Sequence, residues 1–336
     1  MESAKKQIVL TGDRPTGKLH LGHFVGSLQN RVKMQDEYDQ FILVADVQAL
    51  TDNSENPEKV RKNILETTMD NIAVGVDPDK NTFFIQSMIP EIADLTIYFL
   101  NLVTLSRLMR NPTVKDEVKQ KGYENNIPAG FLCYPVSQAA DILCVKASIV
   151  PVGEDQLPQI EQANEIVDKF NATYGQTFDR IKPIVPKSGA RLSGTDGKSK
   201  MGKSLGNGIS LSDETSIVKE KVMNMYTDPL HINKNDIGHL EGNVVFEYLD
   251  AFDADKKSLD ELKENYVKGG IGDVEVKMRL FKILEETLTP IRERRKVLEN
   301  NPKTVLDILA RGTERARAIA KETMKEVRSK MRIDYF

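Results

Sequence analysis

An α/β fold, with a parallel sheet covered by helices and a C-terminal α-helical domain, is predicted by three observations. The first half of the chain alternates short β-type apolar runs with amphipathic helical stretches. Residues 187–207 are rich in Gly, Ser and Lys and poor in apolar side chains. Beyond them, long segments with apolar residues at helical spacing run to the end of the chain.

In chain order, strands are expected near residues 7–11, 40–45, 82–87 and 149–152. Between them, residues 21–35 and 57–74 carry helical periodicity, and Asn56-Pro57 supplies a cap followed by a proline suited to the first turn. Residues 187–207 should form a mobile loop dividing the two domains, and helices are expected over 273–298 and 303–331. The expected division is a Rossmann-like domain over 1–205, with a helical insertion near 92–135, and a helical domain over 206–336 whose last helix packs back on the first domain. In such open sheets ligands sit beyond the carboxyl ends of the strands, which directs attention to residues 12–18 and 153–156.

At 336 residues the chain is long enough for two cores. Hydrophobic residues make up 40% and charged residues 29%, a globular composition far from that of a disordered chain. No stretch reaches the roughly 18 consecutive apolar residues that a membrane span needs, so a cytoplasmic protein that avoids the membrane is expected. Cys133 and Cys144 stand in apolar surroundings without metal-binding spacing and read as reduced thiols. The net charge of -3 gives no global footprint for nucleic acid. Residues 311–333, however, hold eight Lys/Arg against three Glu, which fits either a solvated helix face or an RNA-facing one.

Four segments carry chemistry. In Thr11-Gly-Asp-Arg-Pro-Thr-Gly-Lys-Leu-His-Leu-Gly-His23 a glycine turn runs into a helix start, where backbone N–H groups favour phosphate. His20 and His23, three apart, can address the same phosphate group. A metal site built on this pair would find only His231 and His239 elsewhere and no acidic cluster beside it. Lys200-Met-Gly-Lys-Ser204 places two ammonium groups on a glycine-containing loop, suited to charge that builds on a breaking triphosphate. Residues 197–204 also satisfy the P-loop pattern, but Arg-Leu-Ser-Gly-Thr-Asp precedes them and Leu-Gly-Asn-Gly follows, so the required strand and helix are missing.

Tyr134, Gln138 and Asp141 stand at i, i+4 and i+7, polar groups on one helical face among small and apolar neighbours. Groups of this kind discriminate between ligands because a ligand without the matching donor leaves them unpaired, although a satisfied buried network fits the same pattern. Gly153-Glu-Asp-Gln156 ends a strand and opens a helix, offering N–H groups to ribose or phosphate and side-chain acceptors to hydroxyl or ammonium.

Together these residues resemble the class I aminoacyl-tRNA synthetases, His20-Leu-Gly-His23 matching their HIGH signature and Lys200-Met-Gly-Lys-Ser204 their KMSKS signature, with Gly202 in place of the usual serine. The Gly-Glu-Asp-Gln segment and the compact length are similar to the bacterial tryptophan-specific members. That resemblance implies ATP as co-substrate with Mg2+, and tryptophan and tRNA(Trp) as partners. It makes His20, His23, Lys200, Lys203 and Ser204 catalytic. It assigns ATP contacts to Arg14, Pro15, Thr16, Gly22, His23, Gly153, Glu154, Asp155, Leu192, Lys200, Met201, Gly202, Lys203 and Ser204.

By the same resemblance Tyr134 and Gln156 hold the α-ammonium and Asp141 accepts the indole N–H, with Leu10, Gln48 and Gln138 completing the pocket. The tyrosine-specific members share the Tyr-x-x-x-Gln-x-x-Asp pattern met by Tyr134, Gln138 and Asp141. They usually carry a tyrosine where Leu10 stands, and an apolar Leu10 suits a flat indole. Methionine is common in the tryptophan-specific members at Gln138, and histidine at Gln48. The family further implies anticodon binding by the helical domain and a homodimer through residues 92–126. A non-catalytic relative or a P-loop NTPase is the alternative outside this reading.

Overall fold

The computed structural model describes residues 6–51, 53–123, 126–185, 192–199, 201–202 and 205–335. Five parallel strands form one sheet in the order β3-β2-β1-β4-β5: β1 Ile8–Asp13, β2 Asp39–Val44, β3 Thr82–Ile85, β4 Ile149–Pro151 and β5 Lys182–Ile184. β1 is central, pairing along its whole length with β2 (Ile8 opposite Asp39, Asp13 opposite Val44) and at Val9 with Ile149 of β4. β2 is buried from Gln40 to Val44 and apolar from Phe41, as expected for a parallel strand covered on both faces.

The four expected strands are present with shifted ends, and β5 adds a fifth. Lys182-Pro-Ile184 has no alternating pattern, and its proline is tolerable because the strand lies at the sheet edge. The 21–35 helix is not uniform: α-helical Leu21–His23 widens into a π segment, Phe24–Leu28, before Gln29–Met34. Helix Pro57–Ala73 starts where expected, the Asn56 side chain accepting the Lys59 N–H at 3.1 Å. After residue 207 the regular elements are all helices, Thr215–Met223, Val244–Phe252, Lys256–Lys268, Asp273–Glu299 and Pro302–Met331. Among the described residues no helix is long and apolar enough to cross a membrane.

The Pro302–Met331 helix lies along β3. Ala316, Ala320, Met324 and Val327 join the core on one face of the sheet, whereas Val305, Ile308 and Leu309 join the cluster on the other, with Ile42 and Phe83. Thr313 Oγ1 accepts the Ile85 N–H at 3.2 Å, occupying a donor that an edge strand would otherwise expose. Its arginines turn back to carboxylates of the sheet unit: Arg315 to Asp39 at 2.7 Å, Arg328 to Asp94 at 2.7 Å and Arg317 to Glu91 at 3.5 Å. Gly312 sits so close to β3 that a Cβ would overlap the Phe83 backbone. Gly312→Ala should therefore destabilise the protein by about 1–3 kcal/mol or more, read as a lowered Tm with no change in substrate selectivity. An unchanged Tm would mean that the helix is free to move off the strand.

A second core joins Leu19, Leu21, Val25 and Leu28 to Leu192, Ile209 and the helices from Val244 to Ile291. The two histidines of the first signature thus lie where the sheet unit meets the helical unit. The junction also contains buried charge: the Arg295 guanidinium grips Asp70 and Glu66, and Asp70 accepts the Leu19 N–H at 2.7 Å. Burial holds the Asp70 carboxyl up at about 6 despite Arg295.

Candidate active site

β1 pairs with strands on both sides while the chain leaves it in opposite directions, so a crevice opens beyond its carboxyl end. There a cavity of about 390 Å³ lies between β1, β4 and the helices Ala129–Cys144 and Leu157–Tyr174. Its apolar wall includes Leu10, Leu43, Ala45, Ala139, Ile142 and Val150, and its polar groups include Gln48, Gln138, Asp141, Gln156 and Gln159. Gly26, Ser27 and Asn30 also line it, so the π segment and the turn after it form part of the wall.

Asp141 is 3% exposed. Burial pushes its carboxyl up to about 7; two hydrogen bonds from Gln86 Nε2, at 2.8 and 2.9 Å, oppose the rise and the Asp46 charge adds to it. Gln138 and Asp141 face the cavity, but Tyr134, on the same helix, does not line it. The Tyr134 hydroxyl accepts from Gln159 Nε2 at 3.1 Å, so it reaches the cavity through Gln159. Desolvation and the Glu117 charge hold that phenol neutral, its pKa raised.

At Gly12, Asp13 and Arg14 the cavity continues into a polar cleft of about 900 Å³. The cleft is lined by Arg14, Lys18, Lys59, Lys121 and Lys221, by Thr16, His20 and His23, and by Met201 and Gly202. The two imidazoles lie with ring centroids 3.9 Å apart, and His23 Nδ1 accepts the His20 backbone N–H at 3.3 Å. Accepting at Nδ1 places the neutral His23 proton on Nε2. The end of β1 at Gly12–Asp13 is held by Arg31, 2% exposed, which bonds both Asp13 oxygens at 2.5 and 3.1 Å and Asn71 at 2.7 Å. Burial raises the Asp13 carboxyl, but the Arg31 charge and the hydrogen bonds of Arg31 and Asn71 outweigh it and hold it at about 2.

The second signature meets the first across the sequence. Leu21 N–H donates to Ile209 O and Leu211 N–H to Leu19 O, both at 3.0 Å, which seats the loop's exit beside His20. Asn207 Oδ1 accepts the Gly202 N–H at 3.0 Å, and its Nδ2 donates to Asp196 and Ser199 at 3.2 Å each. A Cβ on Gly22 would press on the His20 ring, and one on Gly208 would press on Met201. Lys200, Lys203 and Ser204 lie outside the described residues.

Of the remaining expected contacts, Gly153 lines the cavity, Glu154 and Asp155 are exposed in the turn after β4, and Pro15 is buried. Leu192 belongs to the second core, its carbonyl accepting the Met201 N–H at 3.4 Å. Asp13 and Lys18 fall inside the first chemical segment, whereas Gln86, Gln159, Arg31, Asn71, Lys59, Lys121 and Lys221 were not legible in sequence, because no local motif marks them. Among the described residues, 194–199 hold turns and bends and no strand runs directly into Gly197, unlike a P-loop. Cys133 and Cys144 are free thiols. Among the described residues no group of three or more His, Cys, Asp or Glu could hold a metal ion.

Residues 2–289 match the family model described as tRNA synthetases class I (W and Y). A tryptophan–tRNA ligase from Clostridium longisporum is 58% identical over 335 residues, 98% of each chain. One from Streptococcus mutans is 55% identical, covering 98% of this chain and 99% of its own. Among solved structures, tryptophanyl-tRNA synthetase from Campylobacter jejuni, complexed with ADP and tryptophan, superposes with a TM-score of 0.85 at 31% identity, over 97% of this chain and 99% of that one. The fold alone is shared with tyrosyl-tRNA synthetase from Archaeoglobus fulgidus, at a TM-score of 0.68 and 22% identity, over 88% of this chain and 92% of that one.

Proposed function

The chain belongs to the class I tRNA synthetases of the tryptophan and tyrosine group, and from that premise we propose how its residues ligate tryptophan to transfer RNA. The enzyme activates tryptophan with ATP and passes it to tRNA(Trp). In the first step a tryptophan carboxylate oxygen attacks the α-phosphorus and the bond to pyrophosphate breaks, leaving tryptophanyl-adenylate. In the second, a terminal ribose hydroxyl of the tRNA attacks the activated carbonyl and AMP departs.

One observation supports this reading above the others: an apolar cavity carrying a buried carboxylate opens into a cationic cleft at Gly12–Arg14. The indole lies against Leu10 and Val150 with its N–H on Asp141, and Gln156 and the Tyr134–Gln159 pair receive the α-ammonium. An apolar Leu10 in the wall favours indole over a phenol, which would need a polar partner there. The adenosine and α-phosphate take Arg14, Pro15, Thr16, Gly22, Gly153, Glu154, Asp155 and Leu192.

The cleft offers pyrophosphate His20, His23, Met201 and Gly202; Lys200, Lys203 and Ser204, which lie outside the described residues, are assigned to the same group by the signature they belong to. Because the described lining is positively charged and its aspartate, Asp13, is committed to Arg31, Mg2+ would enter as part of the ATP substrate. These preorganised donors stabilise charge on the leaving pyrophosphate.

The proposal extends to anticodon binding by residues 206–336 and to a homodimer through residues 92–126. Exposed Ile97, Leu105 and Met109 support the latter. ATP–pyrophosphate exchange with tryptophan, with tyrosine and with no amino acid tests the activity. Exchange with tryptophan alone is expected; exchange driven by tyrosine would reassign the pocket, and none at all would return the chain to a non-catalytic role.

A further inference from the structure

Gln86 does not line the cavity, carries no motif, and is 2% exposed at the carboxyl end of β3. Its side chain nevertheless has every group assigned. Oε1 accepts the backbone N–H of Gln48 at 3.0 Å, which fixes the amide's orientation, since a flipped amide would set N–H against N–H. Nε2 is then directed at Asp141 and donates to both carboxylate oxygens, at 2.8 and 2.9 Å.

The other groups around Asp141 do not perform this service. Asp46, at the start of the short helix Asp46–Leu50 after β2, repels it while accepting the Ser87 N–H at 2.9 Å, and Cys144 Sγ donates to the Asp141 backbone carbonyl, not to the carboxylate. Gln86 is thus the donor that favours the ionised carboxylate against burial and a like charge. By bonding both oxygens it also fixes the orientation of that carboxylate, without itself lining the cavity.

Building on the assignment of Asp141 to the indole N–H, we propose that Gln86 is a specificity-positioning residue: it keeps the Asp141 carboxylate an acceptor and aims it at the ring N–H of tryptophan. Gln48 belongs to the same device through its backbone N–H, which holds the Gln86 amide in place.

The test compares tryptophan with 3-benzothienylalanine, a bicyclic analogue in which sulfur replaces the ring N–H, in ATP–pyrophosphate exchange. Gln86→Met keeps the volume and removes the donor. The preference for tryptophan should fall about 10- to 100-fold, through a higher tryptophan KM, with the KM for ATP unchanged and the acid limb of the tryptophan profile moved to higher pH. If Gln86→Met does not fold, Gln86→Glu reads the same ratio with a like charge in place of the donor. A preference unchanged in the folded variant, while Asp141→Ala abolishes it, overturns the role of Gln86. A preference that survives Asp141→Ala overturns instead the reading of Asp141 on which the role rests.

Discussion

Replacing Asp141 with alanine should lower kcat/KM for tryptophan in pyrophosphate exchange by about two to three orders of magnitude. On the proposed reading the cavity pairs its one buried carboxylate with the ring N–H inside an apolar wall, so the truncated variant leaves that N–H buried without a partner. Gln86, losing its acceptor, adds a second unsatisfied donor. A loss below fivefold would mean that the indole does not sit on Asp141.

The same residue sets a pH dependence whose sign follows from its carboxyl being pushed up to about 7 by burial. Tryptophan requires the ionised acceptor. Its KM should therefore be level above about pH 7 and rise roughly tenfold per unit as the pH falls below it. Stability runs the other way. The folded protein holds this proton more tightly than the unfolded chain does, so the group's contribution to stability is fully present below the ordinary carboxylate range and is lost as pH rises towards 7. Asp141→Asn should consequently raise the Tm of the ligand-free protein at pH 8 by more than at pH 5 while weakening tryptophan binding. A Tm difference that grows towards acid would contradict the assignment.

His20→Ala and His23→Ala should each lower kcat of exchange by about 10²–10³ with a smaller change in tryptophan KM. Both imidazoles line the polar cleft and not the apolar cavity; on the proposed reading their donors face the negative charge that grows on the leaving pyrophosphate. With ring centroids 3.9 Å apart and His23 accepting from the His20 backbone, they form a unit. The double variant should lose much less than the product of the single losses. Full additivity, or an effect confined to tryptophan KM, would place the pair outside the transition state.

The legible part of this site was local. His20 and His23, Gln138 and Asp141, and Gly153 to Gln156 each sit a few residues apart on one element, and the elements formed where periodicity put them. Tyr134 shows the limit of that logic. Spacing placed it on the same face as Asp141, yet packing against Phe131 and a hydrogen bond from Gln159 turn its hydroxyl to a second tier. The continuous helix expected over 21–35 failed for a related reason: no sequence signal marks the π widening, which takes its form from what it packs against.

By itself the sequence determined the first four strands and the helices between and after them in outline, the places where strands hand over to ligand-binding turns, and the two signatures that name the chemistry. Tertiary structure alone decided the partners. Arg31 reaches Asp13 across 18 residues and Asn71 across 40, Gln86 reaches Asp141 across 55, and Arg295 reaches Asp70 across 225. The physical reason is that periodicity and turn chemistry act between sequence neighbours, whereas a buried polar group must be satisfied by whatever the strand order β3-β2-β1-β4-β5 brings beside it. Gly312 is the plainest instance: its lack of a side chain has no meaning within its own helix, only against the backbone of Phe83.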